Sequence, residues 1–120
     1  MQNGQDFGRQ VHLFGVSLRG ERYIDEWEAL LLDICRLMQM HPVHKAARFK
    51  YPVKGKGGVG FTIVQPITES FLALDAWPDH DGAYLFICSC KEFDKHKVVD
   101  FLQEKQLFTV IEAVESGLHL

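Results

Sequence analysis

Between Tyr23 and Met40 the apolar side chains Ile24, Trp27, Leu30, Leu31, Ile34, Leu37 and Met38 recur at three- and four-residue steps. That spacing gathers them into one stripe along a helix, and a one-sided helix must bury its stripe against another layer. The helix is expected to end at His41-Pro42, because a residue before proline is pushed out of the helical region. Asp94 is suited to cap a second helix running to about Gln106, with Val98, Phe101 and Leu102 inward. Between and around the helices the chain reads as strands: Val11–Leu18, residues 44–53, Phe61–Val64 leading to Pro66, Glu69–Ala76, Ala83–Cys90 and Leu107–Val114. Ala83–Cys90 is almost wholly apolar and is expected at the centre of a sheet. Residues 78–82 (Pro-Asp-His-Asp-Gly) read as a turn by composition, and residues 1–8 as a loose polar N-terminus.

The order is β-α-β-β-β-β-α-β, which predicts an α+β fold: a two-layer sandwich, mostly antiparallel, with two helices on one sheet face. A length of 120 residues suits a single domain over 1–120. Two helices cover only one face, so a second copy of the chain is the simplest cover for the other. With 47% hydrophobic and 24% charged residues the composition is that of a globular protein. A net charge of -3 does not favour a nucleic-acid partner. No apolar run is long enough to span a membrane, and the first residues carry no signal-peptide core, so the cytoplasm is the expected location. Three cysteines, Cys35, Cys88 and Cys90, do not suggest a disulfide framework.

Several motifs read blandly. Lys54–Gly60 (KGKGGVG) resembles a phosphate-cradling loop without the Gly-Lys-Ser/Thr ending a P-loop requires, and is read as a flexible turn. Cys88-Ser-Cys90 has no second Cys/His pair at zinc spacing, so no metal site is expected. His41 and His44, flanking Pro42, read as exposed or capping groups.

The informative segment is residues 60–90. Here Gly60-Phe61-Thr62-Ile63 is followed by Glu69-Ser70-Phe71-Leu72-Ala73-Leu74-Asp75-Ala76-Trp77-Pro78-Asp79 and then Tyr84-Leu85-Phe86-Ile87-Cys88. Glu-Ser, Trp-Pro-acid and Phe-x-Cys in this order resemble the small prokaryotic form of the S-adenosylmethionine decarboxylase family. Gly8-Arg9 and the Asp94 helix start also fit, and the resemblance spans roughly residues 8–105.

The resemblance implies a pyruvoyl-dependent enzyme of polyamine (spermidine) synthesis and a homodimer. Such a precursor cuts itself between Glu and Ser, and the serine becomes a pyruvoyl group that withdraws electrons from the substrate. Carried over, Ser70 is the pyruvoyl precursor and Glu69 precedes the cut. Thr62 stands at an assisting hydroxyl, and Cys88 at a proton-donating cysteine, with Cys90 the match if no gap is allowed. Trp77 and Asp79 stand beside the substrate, where Asp79 would hold ribose hydroxyls. Phe49 or Tyr51 would stack on adenine. Where the family has histidines, this chain has Phe71 and Asp75. Asp75 stands at the processing base, and a carboxylate is a weaker base than an imidazole at neutral pH. It would serve if desolvated among Leu72, Leu74 and Leu85–Cys88, and would fail if solvated. Three functions therefore stay open: the decarboxylase itself, a pyruvoyl decarboxylase of another amino acid, and an uncleaved homologue acting as a binding or regulatory partner.

Overall fold

The structure, a computed structural model, describes residues 10–52 and 59–119. Its elements are β1 (Val11–Arg19), α1 (Ile24–Leu37), β2 (Ala47–Pro52), β3 (Val59–Ile67), β4 (Ser70–Trp77), a 3-10 turn (Pro78–His80), β5 (Gly82–Ser89), α2 (Lys95–Glu104) and β6 (Thr109–Leu118). The six strands form one sheet in the order β2-β3-β4-β5-β1-β6. Every pairing is antiparallel. The expected α+β sandwich and element order are those observed, with the apolar strand β5 inside the sheet between β4 and β1.

Strand alternation sends successive side chains to opposite faces. One set, including Val16, Leu18, Ile63, Leu72, Leu74, Leu85 and Ile87, joins Trp27, Leu31, Ile34, Val98 and Leu102 of the helices in a single core. The other set remains uncovered: Phe71, Trp77, Tyr84 and Phe86 are exposed large side chains from the middle of the sheet. Arg48 ties the edge strand β2 to α1, its Nε 2.7 Å from Glu28 Oε1 and a terminal nitrogen 2.7 Å from Asp25 Oδ1.

Three expectations need correction. Pro42 does not end α1. The helix closes earlier because Gln39 takes the left-handed conformation (φ 56), Met40 N donates to Cys35 O and Gln39 N to Arg36 O. This is a Schellman closure, and the buried Met40 seals it. Lys91 Nζ then donates to the freed carbonyls of Met38 (3.2 Å) and Gln39 (3.0 Å). Second, β3 runs through Pro66 to Ile67, because Pro66 and Ile67 still pair with Phe71 and Ser70 of β4. Third, β6 extends to Leu118 along β1, and Phe101 is only half-buried where Val98 and Leu102 are fully enclosed. Residues 1–8 and most of Lys54–Gly60 lie outside the described residues.

Candidate functional site

The residues singled out in the sequence fall into two clusters on or beside the uncovered face. The first is at the start of β4. Ser70 Oγ donates to Cys88 Sγ across 3.6 Å, because Phe71 pairs with Cys88 in the β4–β5 register and Ser70 with Ser89. Ser70 has φ 150, a conformation a residue with a Cβ holds only when its surroundings enforce it. The surroundings do so from both sides. The Glu69 carbonyl accepts from Cys90 N at 3.0 Å. The Glu69 carboxylate accepts from His41 N at 3.0 Å and pairs with His41 Nδ1 at 2.9 Å. Burial acts to raise the Glu69 carboxyl, but the His41 ring and backbone donors outweigh it and hold it below its ordinary value. Cys88, not Cys90, is the thiol beside Ser70; Cys90 is exposed beyond the end of β5.

The second cluster is at the other end of β4 and centres on Asp75. Its Oδ1 accepts from Tyr51 Oη and Thr62 Oγ1, both at 3.0 Å, and its Oδ2 from Trp77 Nε1 at 2.8 Å. Thr62 is the direct cross-strand partner of Asp75, and Tyr51 reaches it from β2. Tyr51 is brought over by Gly60, its own cross-strand partner: a Cβ on Gly60 would lie 2.5 Å from Tyr51 Cε2. Burial first, then the charges of Asp75 and Asp79, hold the Tyr51 phenol above its usual value, offset in part by Thr62. The phenol thus stays a donor to the carboxylate.

Of the two settings open to Asp75, the strand does not provide the one among Leu72 and Leu74. Those side chains point to the helices and are fully buried, while Asp75, on the alternate positions of β4, faces the uncovered side and is half-buried. Asp79 stands in the 3-10 turn with its carboxylate 3.8 Å from the His80 ring. Phe49 is on the open face of β2, 57% exposed, opposite Thr62.

Ser70 and Asp75 are separated by roughly 16 Å at the ~3.3 Å rise of a strand, so the two clusters do not meet within one chain. Beside them a cavity of about 420 Å³ opens over the sheet, floored by Gly15 and walled by Phe71, Phe86, Cys88 and Val114. A smaller one of about 220 Å³ lies against Trp77, Tyr84, His80, Arg19 and Glu112. Sequence reading missed His41: its partner is 28 residues away, and no local pattern links them. Among the described residues no cluster of His, Cys, Asp and Glu could hold a metal ion.

An antiparallel sheet of this order with helices on one face has the fold of a solved adenosylmethionine decarboxylase. It superposes on the crystal structure of the adenosylmethionine decarboxylase from Aquifex aeolicus VF5 with a TM-score of 0.58 and 16% identity, covering 92% of this chain and 88% of that one. In sequence it is 31% identical over 110 residues to the S-adenosylmethionine decarboxylase proenzymes of Clostridium botulinum strains Langeland and Hall, covering 88% of this chain and 86% of each relative. Residues 13–115 match the S-adenosylmethionine decarboxylase family as a whole. The chain belongs to that family.

Proposed function

We propose that the chain is a proenzyme that cuts itself between Glu69 and Ser70 and then decarboxylates S-adenosylmethionine through a pyruvoyl group, as a cytoplasmic step of polyamine (spermidine) synthesis. The observation that carries this is the geometry at Ser70: a hydroxyl on a strained residue, a thiol 3.6 Å from it, and a preceding carbonyl already accepting from Cys90 N at 3.0 Å. Attack of Ser70 Oγ on the Glu69 carbonyl carbon forms an ester and breaks the peptide C–N bond, with the hydroxyl proton ending on the amine. Loss of the Ser70 α-proton and cleavage of its Cβ–Oγ bond release Glu69 as a carboxylate. Water then takes the nitrogen off as ammonia. The Cys90 N–H is aimed at the oxygen on which charge develops in the first step.

The residues present fit the pyruvoyl group, which supplies an electron sink for the departing carboxylate. Cys88 lies where it would hold a proton next to that position. Around Asp75, the exposed rings of Tyr51, Trp77 and Tyr84 suit an adenine and a sulfonium cation. Asp79 and Phe49 would border that pocket.

The separation of the two clusters supports a homodimer whose sites are shared. A second copy packed on the open face by a two-fold axis perpendicular to the strands would run its β4 in the opposite sense. Asp75 and Thr62 of the second copy would then approach Ser70 and Cys88 of the first. The apolar aromatic face is the kind of surface that obligate dimers cover.

The test is the intact mass of purified protein. Two fragments split between Glu69 and Ser70, absent from Ser70→Ala, together with carbon dioxide release from S-adenosylmethionine, are expected. A single full-length chain and no release would reject the proposal. One observation favours a second reading, an uncleaved binding or regulatory homologue: both oxygens of Asp75 are taken by donors, where the family resemblance places an imidazole base. A pyruvoyl decarboxylase of another amino acid would be revealed by cutting without S-adenosylmethionine turnover.

A further inference from the structure

We infer that His41 is a positioning residue for scission of the Glu69–Ser70 peptide, acting by clamping the Glu69 carboxylate; the inference rests on the self-cleavage reading above.

The Glu69 side chain is only 11% exposed, whereas the His41 ring is 72% exposed. A carboxylate withdrawn this far from water requires donors. Two come from His41, its backbone N–H on Oε1 at 3.0 Å and its Nδ1 opposite Oε2 at 2.9 Å. The segment around His41 is itself fastened to the same turn. Thr68 N donates to the His41 carbonyl at 2.8 Å, Val43 N donates to the Pro66 carbonyl at 3.3 Å, and Pro42 bridges Ile67. The chain after α1 thus lies along the β3–β4 turn like a splint.

On the far side of the scissile peptide, Cys90 N holds the Glu69 carbonyl at 3.0 Å and Ser70 pairs with Ser89. Glu69 is therefore pinned by its side chain and by its carbonyl, while the next residue is kept at φ 150. A non-glycine residue relaxes out of such a conformation unless the structure around it over-determines it. The reacting atoms belong to adjacent residues, so no ligand binding can orient them. Their alignment is set by the chain's own contacts around them. The step this geometry favours needs no outside reactant: the Oγ–carbonyl carbon bond forms, the C–N bond breaks, and the proton moves from oxygen to nitrogen. Releasing the carboxylate lets the peptide rotate away from attack geometry, and a misplacement of about 1 Å costs up to roughly a hundredfold in rate.

The test follows fragment formation in the full-length chain by intact mass over time, with and without hydroxylamine, which cleaves an ester at this position but not an amide. Melting temperature is recorded alongside. His41→Ala is expected to slow fragment formation roughly ten- to a hundredfold. His41→Asn, which keeps an N–H donor near the place of Nδ1, is expected to stay within a few-fold of the parent. In a Glu69→Ala background, His41→Ala should have no further effect, because the carboxylate that the ring holds is already gone. A parent that cuts while His41→Ala cuts at the same rate overturns the inference and leaves self-cleavage standing. An undiminished His41→Ala effect in the Glu69→Ala background overturns it also. A parent with neither fragments nor a hydroxylamine-sensitive bond refutes the self-cleavage reading, and the inference falls with it.

Discussion

Ser70 and Asp75 share one strand and belong to different clusters: Ser70 donates to the Cys88 sulfur at 3.6 Å, while Asp75 accepts from Tyr51, Thr62 and Trp77 at 2.8–3.0 Å. The proposed nucleophile and the proposed base are thus held at opposite ends of β4. Whatever Asp75 does to Ser70 is done between two copies of the chain or not at all.

Asp75→His should speed scission. An imidazole brings an acceptor nitrogen suited to neutral pH, and a positioned general base contributes roughly 10²–10⁴-fold. An increase of at least about tenfold in fragment formation is expected on a denaturing gel. Equal rates in variant and parent would show that the base is elsewhere.

Phe86→Glu should dissociate the proposed dimer. Phe86 is 45% exposed, stacks on Tyr84 and walls the larger cavity. Central aromatic contacts in interfaces are worth about 2 kcal/mol or more, which is on the order of thirtyfold in dissociation constant. Sedimentation at micromolar concentration reads the result. A parent protein that is already a monodisperse monomer would rule out the dimer.

Gly60→Ala should act on ligand binding rather than on folding. The new Cβ would lie 2.5 Å from the Tyr51 ring, and that ring can swing into solvent. The cost is one hydrogen bond, about 1 kcal/mol in urea unfolding. The rise in melting temperature produced by S-adenosylmethionine in the parent should shrink to the level seen in Tyr51→Ala, which removes the ring. A full ligand response in both variants would remove Tyr51 from the pocket.

The three thiols should react in a set order. Cys90 is exposed, Cys88 half-buried and Cys35 fully buried. A disulfide reagent at pH 8 should therefore label Cys90 first and Cys35 only on unfolding. Burial, with the Glu69 charge adding to it, pushes the Cys35 thiol from 9.0 to about 11. A thiol raised in the folded state contributes stability in full below its unfolded value. That contribution is lost as pH rises through the folded value. The denaturation midpoint should accordingly fall between pH 9 and 11, and Cys35→Ala should lessen the fall. An unchanged pH profile in Cys35→Ala would place the alkaline transition on another group.

What the sequence determined by itself was the layer arrangement and the family. The stripe from Ile24 to Met38, the Asp94 cap and the apolar run Ala83–Cys90 are local patterns, and local periodicity dictates which face an element buries. Glu69-Ser70 and Trp77-Pro78-Asp79 are contiguous and could be read directly. Even the uncovered sheet face followed from counting helices. Tertiary structure decided which of these residues meet. Whether Cys88 or Cys90 stands beside Ser70 depends on the β4–β5 register, and a two-residue slip, which keeps the same face, would put Cys90 in the place of Cys88. Apolar neighbours in sequence leave the burial of Asp75 open, and alternation along β4 turns it away from them. Tyr51 reaches Asp75 only because Gly60 leaves room across the β2–β3 pair. His41 meets Glu69 only because the chain leaving α1 folds back on the β3–β4 turn. Contacts of this kind join residues from 18 to 28 positions apart, and no periodicity within either segment encodes them.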